Sequence, residues 1–209
     1  VRIESALIIM LILFFFSFSL MAYISFKSLM VLGLYVVLNI LYSLGLKKIS
    51  LVDVTIIAIG FVLRLFVGSY AYNEDLTFWI VTMTFLLAIF IALAKRRDDV
   101  LIFNNYKKQM RKSILGYNLK LIDSIMIVMS AVIVLTYIQY STSIDTIMKF
   151  GENLYLTTLY VIFGIMRYMQ ITFVENKSGS PVEVIFNDKI TIINLTLWFF
   201  SFTWIIYFF

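Results

Sequence analysis

About seven apolar windows of membrane-crossing length follow one another along this chain, near residues 5–23, 29–45, 52–71, 77–94, 121–139, 153–173 and 190–208. No feature constrains the fold more. In hydrocarbon every backbone N–H and C=O must find a partner within the protein, so the spans have to be helices or a closed barrel. Runs this long and this apolar give helices. The connections between the first four are too short to hold domains, so the expectation is a single all-α domain over residues 1–209, a polytopic transmembrane helical bundle. Composition agrees, with 62% hydrophobic and only 14% charged residues and a mean hydropathy of +0.99. The first run lacks a small-residue cleavage site and further spans follow it, so it reads as a retained helix and not a signal peptide.

Charge sets the orientation. If connections alternate sides, Arg2, Lys47, Lys48, Lys95, Arg96, Arg97, Lys107, Lys108, Arg111, Lys112, Lys120, Lys177 and Lys189 share one side, and only Lys27 and Lys149 lie on the other. That other side carries Glu74, Asp75, Asp145 and Glu152. The positive-inside bias makes the basic side cytoplasmic, in a cell membrane. Topology and contact with anionic headgroups account for the net charge of +5, and no nucleic-acid partner is needed. Most of the twenty Phe residues fall inside spans, away from any soluble basic surface that could bind RNA.

The chain has no cysteine and no histidine, which removes disulfides, thiolate chemistry and the commonest general base. A metal would have to sit on oxygen ligands, which favours magnesium or manganese. No Walker pattern, dinucleotide fingerprint or serine nucleophile elbow occurs.

The charges within and beside the spans carry the functional signal. Asp53 opens the third span, and Arg64 follows eleven residues later, about three turns and ~16 Å along the same face. The spacing predicts that both point into one cavity. Gly60 and Gly68 bracket Arg64 at four-residue intervals, a pattern that permits close helix contact. An arginine this deep faces either a polar cavity or a partner helix that it locks in place. Arg167 lies nearer the cytoplasmic end of its span, where it can snorkel. The fourth span exits through Lys95-Arg96-Arg97-Asp98-Asp99. Such a cluster is either a positive stop signal, partly neutralised by its own aspartates, or a site for a magnesium diphosphate, with carboxylates on the metal and cations on phosphate oxygens. Residues 104–118 suit an amphipathic interfacial helix, Glu175 to Glu183 has turn character around Pro181, and Asp188 is placed to cap the last span.

Tyr42-Ser-Leu-Gly-Leu-Lys47-Lys48-Ile-Ser-Leu-Val-Asp53, followed by Gly60-Phe-Val-Leu-Arg64-Leu-Phe-Val-Gly68, resembles the middle of the UbiA prenyltransferase superfamily. Ala92-Leu-Ala-Lys95-Arg96-Arg97-Asp98-Asp99, Ser180-Pro181-Val-Glu183, Asp188 and Trp198 extend the likeness toward its decaprenyl-phosphate phosphoribosyltransferase branch. The resemblance implies a helical bundle in which this chain supplies about seven of nine helices. It also implies a cavity open to the cytoplasm, and transfer of phosphoribose from phosphoribosyl diphosphate to a polyprenyl phosphate with release of diphosphate. Asp98 and Asp99 become metal ligands for magnesium, with manganese as a substitute. Lys47, Lys48, Lys95, Arg96 and Arg97 bind phosphate, while Asp53, Arg64 and Tyr42 line the reacting groups. The family's first aspartate-rich motif is absent from this sequence, which begins at Val1. The expectation is therefore an N-terminally truncated, inactive piece of a membrane enzyme. Two alternatives stay open: an aromatic prenyltransferase of the same superfamily, and a transporter or structural protein using Arg64 and Arg167.

Overall fold

A computed structural model describes residues 3–106, 112–176, 184 and 186–208. Arg2, Lys107, Lys108, Arg111, Lys177 and the Ser180 to Glu183 turn lie outside the described residues. Helices α1 (Ile3–Ile24), α2 (Phe26–Leu44), α3 (Val52–Tyr72), α4 (Phe78–Tyr106), α5 (Leu119–Ser141), α6 (Ile144–Phe150), α7 (Thr158–Phe173) and α8 (Lys189–Phe208) follow in order, with no strand among the described residues. Seven helical stretches are long and apolar enough to cross a membrane; the sixth joins α7 to the 3₁₀ segment before it. The all-α, multi-pass bundle expected from hydropathy is thus the observed architecture.

Each boundary has a local cause. Ser25 separates α1 from α2 by a single residue in extended conformation, and its hydroxyl accepts from the Ser28 N–H at 3.4 Å. α2 therefore starts three residues earlier than its apolar window suggested. Its C-terminal stop is Gly45, whose N–H bonds the Leu41 carbonyl at 3.1 Å before a 3₁₀ turn, Leu46–Lys48. Asn73 ends α3 in the left-handed region (φ 56°), a conformation asparagine tolerates. The Asn118 side chain caps α5 by accepting from the Leu121 N–H at 2.7 Å.

α4 departs most from the sequence expectation. It continues unbroken for 29 residues, about 43 Å, where the apolar window ended at residue 94. Lys95 to Asp99 consequently lie on a continuous helix, and its last turns replace the start of the expected interfacial helix. Among the described residues, a short 3₁₀ stretch, Lys112–Gly116, precedes α5.

α4 is also central to the packing. Phe90, Leu93 and Ala94 are buried with Val54 and Ala58 of α3 and with Ile122, Met126 and Ile133 of α5. α7 and α8 are joined through the Asn194 Nδ2 donating to the Tyr160 carbonyl at 2.9 Å, at the place where Gly164 lets the helices approach. α1 rests on α2 and is exposed along almost its whole length. In a bilayer that exposure costs little, because lipid tails are as apolar as its Phe, Leu and Ile side chains.

Candidate functional site

The end of the bundle where α2 stops and α3 begins collects the charges. Asp53 is fully buried, and its carboxylate takes three donors: Arg96 Nε on Oδ2 at 2.6 Å, the Tyr117 hydroxyl on Oδ1 at 2.6 Å, and the Val54 N–H on Oδ1 at 3.0 Å. Arg96, 3% exposed, extends Nη1 to Asp99 Oδ2 at 2.6 Å. One arginine thus bridges the N-terminus of α3 and the third-next residue of its own helix. A charge this buried is tolerable only when paired and hydrogen-bonded, as Arg96 and Asp53 are.

Tyr117 couples this ion pair to the loops. Its oxygen accepts the Leu51 N–H at 2.7 Å while donating to Asp53. Burial, and then the hydrogen bond to the Asp53 carboxylate, push the phenol well above its ordinary pKa, so it stays a donor at any physiological pH. Leu51 sits at φ 67°, ψ −41°, a region that a side chain with a Cβ rarely enters. Such backbone costs about 1–3 kcal/mol and survives where its surroundings fix it. Here its N–H is held by Tyr117 and its carbonyl by Thr55, whose hydroxyl donates at 2.8 Å. The Ser50 hydroxyl adds a second tie, donating to the Ser113 carbonyl at 2.6 Å. The lysine-bearing turn is therefore clamped onto the 112–117 segment and, through Tyr117, onto the Asp53–Arg96 pair.

Arg97 turns the other way. Its Nε meets Asp123 Oδ1 of α5 at 2.8 Å, and its Nη1 donates to the Thr172 carbonyl at 2.6 Å and to Asn176 Oδ1 at 2.8 Å. Its guanidinium also lies 5.2 Å from the Phe173 ring centroid. Adjacent arginines point about 100° apart on a helix, so Arg96 binds toward α3 and Arg97 toward α5 and α7. A third arginine clasp joins α7 and α8: Arg167 Nη2 and Nε reach Asp188 Oδ1 and Oδ2 at 2.7 and 3.1 Å, and Nη2 reaches Glu175 at 3.0 Å. Asp188 Oδ2 also accepts from the Thr191 N–H at 2.9 Å, capping α8. The Arg167 hydrogen bonds hold the Asp188 carboxyl well below the usual carboxylate range. Arg167 is thus paired within the protein and does not snorkel.

The structure sorts the residues singled out in the sequence. Asp53, Arg96 and Asp99 come together. Arg64 does not join them: it is exposed beside α2, its guanidinium over the Phe61 and Tyr35 rings at 4.4 and 5.4 Å. The single cavity expected for Asp53 and Arg64 is replaced by two environments, one enclosed between α3 and α4 and one open. A Cβ on Gly60 would lie 3.5 Å from the Tyr35 ring of α2, in ordinary contact, whereas a Cβ on Gly68 would meet nothing within 4 Å. Lys48 and Lys95 are exposed and Lys47 and Tyr42 half-buried at the basic end, with Asp98 half-buried on α4. Arg96 and Arg97 are buried and their forks are filled by protein acceptors. Sequence reasoning missed Tyr117 and Asp123 as partners, because neither lies within a turn of the residue it binds. A lone tyrosine next to an Asn cap was the available signal.

Magnesium, expected from the resemblance, does not fit the described residues by themselves. Asp99 is already paired by Arg96, and no group of three or more acidic side chains able to hold a metal occurs among the described residues.

No protein-family profile matches the chain. It is similar to the decaprenyl-phosphate phosphoribosyltransferase of Corynebacterium glutamicum, 22% identical over 178 residues that cover 85% of this chain and 53% of that protein. It is likewise similar to the protein of the same name from Mycolicibacterium smegmatis, 22% identical over 175 residues, 80% of this chain and 55% of that one. An uncharacterized protein of Sinorhizobium fredii is 25% identical over 180 residues, 81% of this chain and 33% of its own length. The chain is similar to UbiA-type proteins over most of its length. It spans about half the length of the two phosphoribosyltransferases that it matches.

Proposed function

We propose that the protein to which this chain belongs transfers phosphoribose from phosphoribosyl diphosphate to a polyprenyl phosphate, as a UbiA-type membrane transferase working at the cytoplasmic face of the cell membrane. Similarity to two phosphoribosyltransferases over four fifths or more of the chain carries the reading. The stretch that resembles the family supports it further, because its two ends, Tyr42 to Asp53 and Lys95 to Asp99, meet at one end of the bundle around the Asp53–Arg96 pair.

The chemistry suits this side-chain inventory. The bond between the anomeric carbon and diphosphate breaks, and a bond forms from that carbon to a phosphate oxygen of the lipid. That oxygen is already anionic near neutral pH, so no general base is needed, in keeping with a chain that has no histidine. The leaving diphosphate gathers charge, and Lys47, Lys48 and Lys95 at the basic end are the cations that would meet it. Arg96 and Arg97, filled by carboxylate and carbonyl acceptors, act in this reading through position: Arg96 fixes the start of α3 against α4, and Arg97 fixes α4 against α5 and α7. Tyr117 ties the lysine turn to that frame.

The same similarity supports the broader class of prenyltransferase-type reactions. Lys95-Arg96-Arg97-x-Asp99 favours the phosphoribosyl donor within it, since an Asp-x-x-Asp arrangement at this helix end would favour an isoprenoid diphosphate. The test is the full-length protein in proteoliposomes with radiolabelled phosphoribosyl diphosphate and polyprenyl phosphate, with and without magnesium. Label should appear in a lipid-linked phosphoribose. Prenyl transfer to an aromatic acceptor, with no labelled lipid, would overturn the assignment.

A further inference from the structure

Unfavourable local features gather in the seam between the 45–51 turn and the 112–117 segment. Three described residues other than glycine have positive φ: Asn73 and Asn176, whose side-chain type tolerates the left-handed region, and Leu51 at 67°, whose type does not. In the same seam the Ser113 hydroxyl is sealed, at 0% exposure, with no partner among the described residues. Gly116 faces Ser50 so closely that a Cβ would not fit without a shift. Strained backbone and unpartnered polar groups persist where their surroundings over-determine them, and they cluster at ligand clamps. Their concentration here points to a task for the seam beyond holding the fold.

What the seam holds is the lysine turn. Upstream, the turn is fixed where the Gly45 N–H bonds the Leu41 carbonyl at 3.1 Å. Downstream, Leu51 follows Lys48 by three residues, a reach of at most about 11 Å. The Tyr117 oxygen accepts the Leu51 N–H at 2.7 Å and donates to Asp53 at 2.6 Å. Without that acceptor the Leu51 N–H loses its partner, and relaxation to negative φ, a rotation of about 100° or more, swings Ser50, Ile49 and Lys48 with it. Asp53 is bound in turn by Arg96, and Lys95 is the residue before Arg96 on α4. One carboxylate thus sets the two lysines of the turn relative to the lysine of α4.

We infer that Tyr117 is a positioning residue for diphosphate binding: its hydroxyl holds Leu51 in the left-handed region and so keeps Lys47 and Lys48 facing the same anion as Lys95. That this diphosphate belongs to a phosphoribosyl donor rests on the transferase reading; the positioning role does not. An anion with several oxygens engages several cations at little entropic cost only when these already stand at fixed separations, whereas lysines on a loose turn have to be ordered as they bind. Tyrosine suits the task because a phenol oxygen both accepts and donates, so a single group joins a backbone N–H to a carboxylate. Phenylalanine keeps the ring and loses both bonds. In this role Tyr117 touches neither substrate nor reacting atoms and acts through the turn.

The experiment uses the full-length protein in nanodiscs at fixed magnesium, with titration calorimetry reading the binding of inorganic diphosphate and a radiolabel assay reading KM and kcat for phosphoribosyl diphosphate. Tyr117→Phe should weaken diphosphate binding and raise the donor KM roughly tenfold, with kcat at saturating donor within about twofold of wild type. Ser50→Ala, which releases the tie to the Ser113 carbonyl, should move both in the same direction, and decides the matter if Tyr117→Phe does not fold. With Lys48→Gln already in place, the further loss from Tyr117→Phe should shrink to about threefold or less, because the turn has less charge left to place. Asn194→Ala, which loosens α8 from α7, should lower the melting temperature and leave diphosphate affinity unchanged. Unchanged affinity in a folded Tyr117→Phe overturns the inference, as does full additivity with Lys48→Gln or an equal loss of affinity in Asn194→Ala. A wild type that binds no diphosphate overturns it as well. Tyr117-dependent diphosphate binding in a protein that transfers no phosphoribose would sink the transferase reading and leave the positioning role standing.

Discussion

At the scale of the residue, Asp53 shows how one side chain acquires its role from partners it cannot select locally. It takes Arg96 from 43 residues away and Tyr117 from 64 away. Removing the carboxylate leaves Arg96 buried with one acceptor missing, so Asp53→Asn should cost about 3–5 kcal/mol. Tyr117→Phe removes one donor and one acceptor but no charge, and should cost about 1–3 kcal/mol. Thermal unfolding in detergent, followed by loss of helical signal, orders the two. Asp188 gives a pH prediction. Its carboxyl is held low in the folded state by Arg167, so its contribution is fully present above the ordinary carboxyl pKa and is lost as pH falls through the depressed one. Unfolding followed from about pH 6 down to about pH 2 should show an acid slope that begins near pH ~4 and is smaller in Asp188→Asn.

At the scale of the element, two short connections do the positioning. The 45–51 turn and the 112–117 segment meet where a Cβ on Gly116 would lie 2.9 Å from the Ser50 Cβ and closer still to its hydroxyl. Ser50 cannot swing away without releasing the Ser113 carbonyl. Gly116→Ala should therefore push the lysine turn off its clamp at a cost of about 1–3 kcal/mol. Limited proteolysis should cut residues 45–51 faster in that variant; an unchanged cutting pattern in Gly116→Ala would count against the clamp. Helix α4 teaches a related lesson. Its apolar window stops at residue 94, yet the helix runs to Tyr106 because Arg96 and Arg97 find acceptors on α3, α5 and α7 that let charged turns stay packed.

At the scale of the whole molecule, charge segregation across alternating connections predicts which end faces the cytoplasm. The chain has no cysteine, so single replacements report sidedness without a background. In sealed, right-side-out cells, Asp75→Cys should react with a membrane-impermeant maleimide, and Lys48→Cys should react only after permeabilisation. Labelling of both from outside would remove the basis for a cytoplasmic site.

The seven spans, their helical nature and the crowding of basic groups at one end were legible in the chain, because hydropathy and loop charge are local properties that a bilayer reads directly. The end of the second span at Gly45 and the cap at Asp188 were legible for the same reason: each acts within a turn or so of its own position. What the tertiary structure alone decided was the allegiance of the charges. Arg96 and Arg97 are neighbours of the same type, and nothing in their spacing says that one closes on Asp53 and the other on Asp123 and Thr172. Asp53 and Arg64 share a helix face, yet one is sealed under Arg96 and Tyr117 while the other stands open beside Tyr35. Helical periodicity fixes the direction in which a side chain leaves its own axis. Which neighbouring helix waits there, and whether it brings an acceptor, is settled only when the bundle packs.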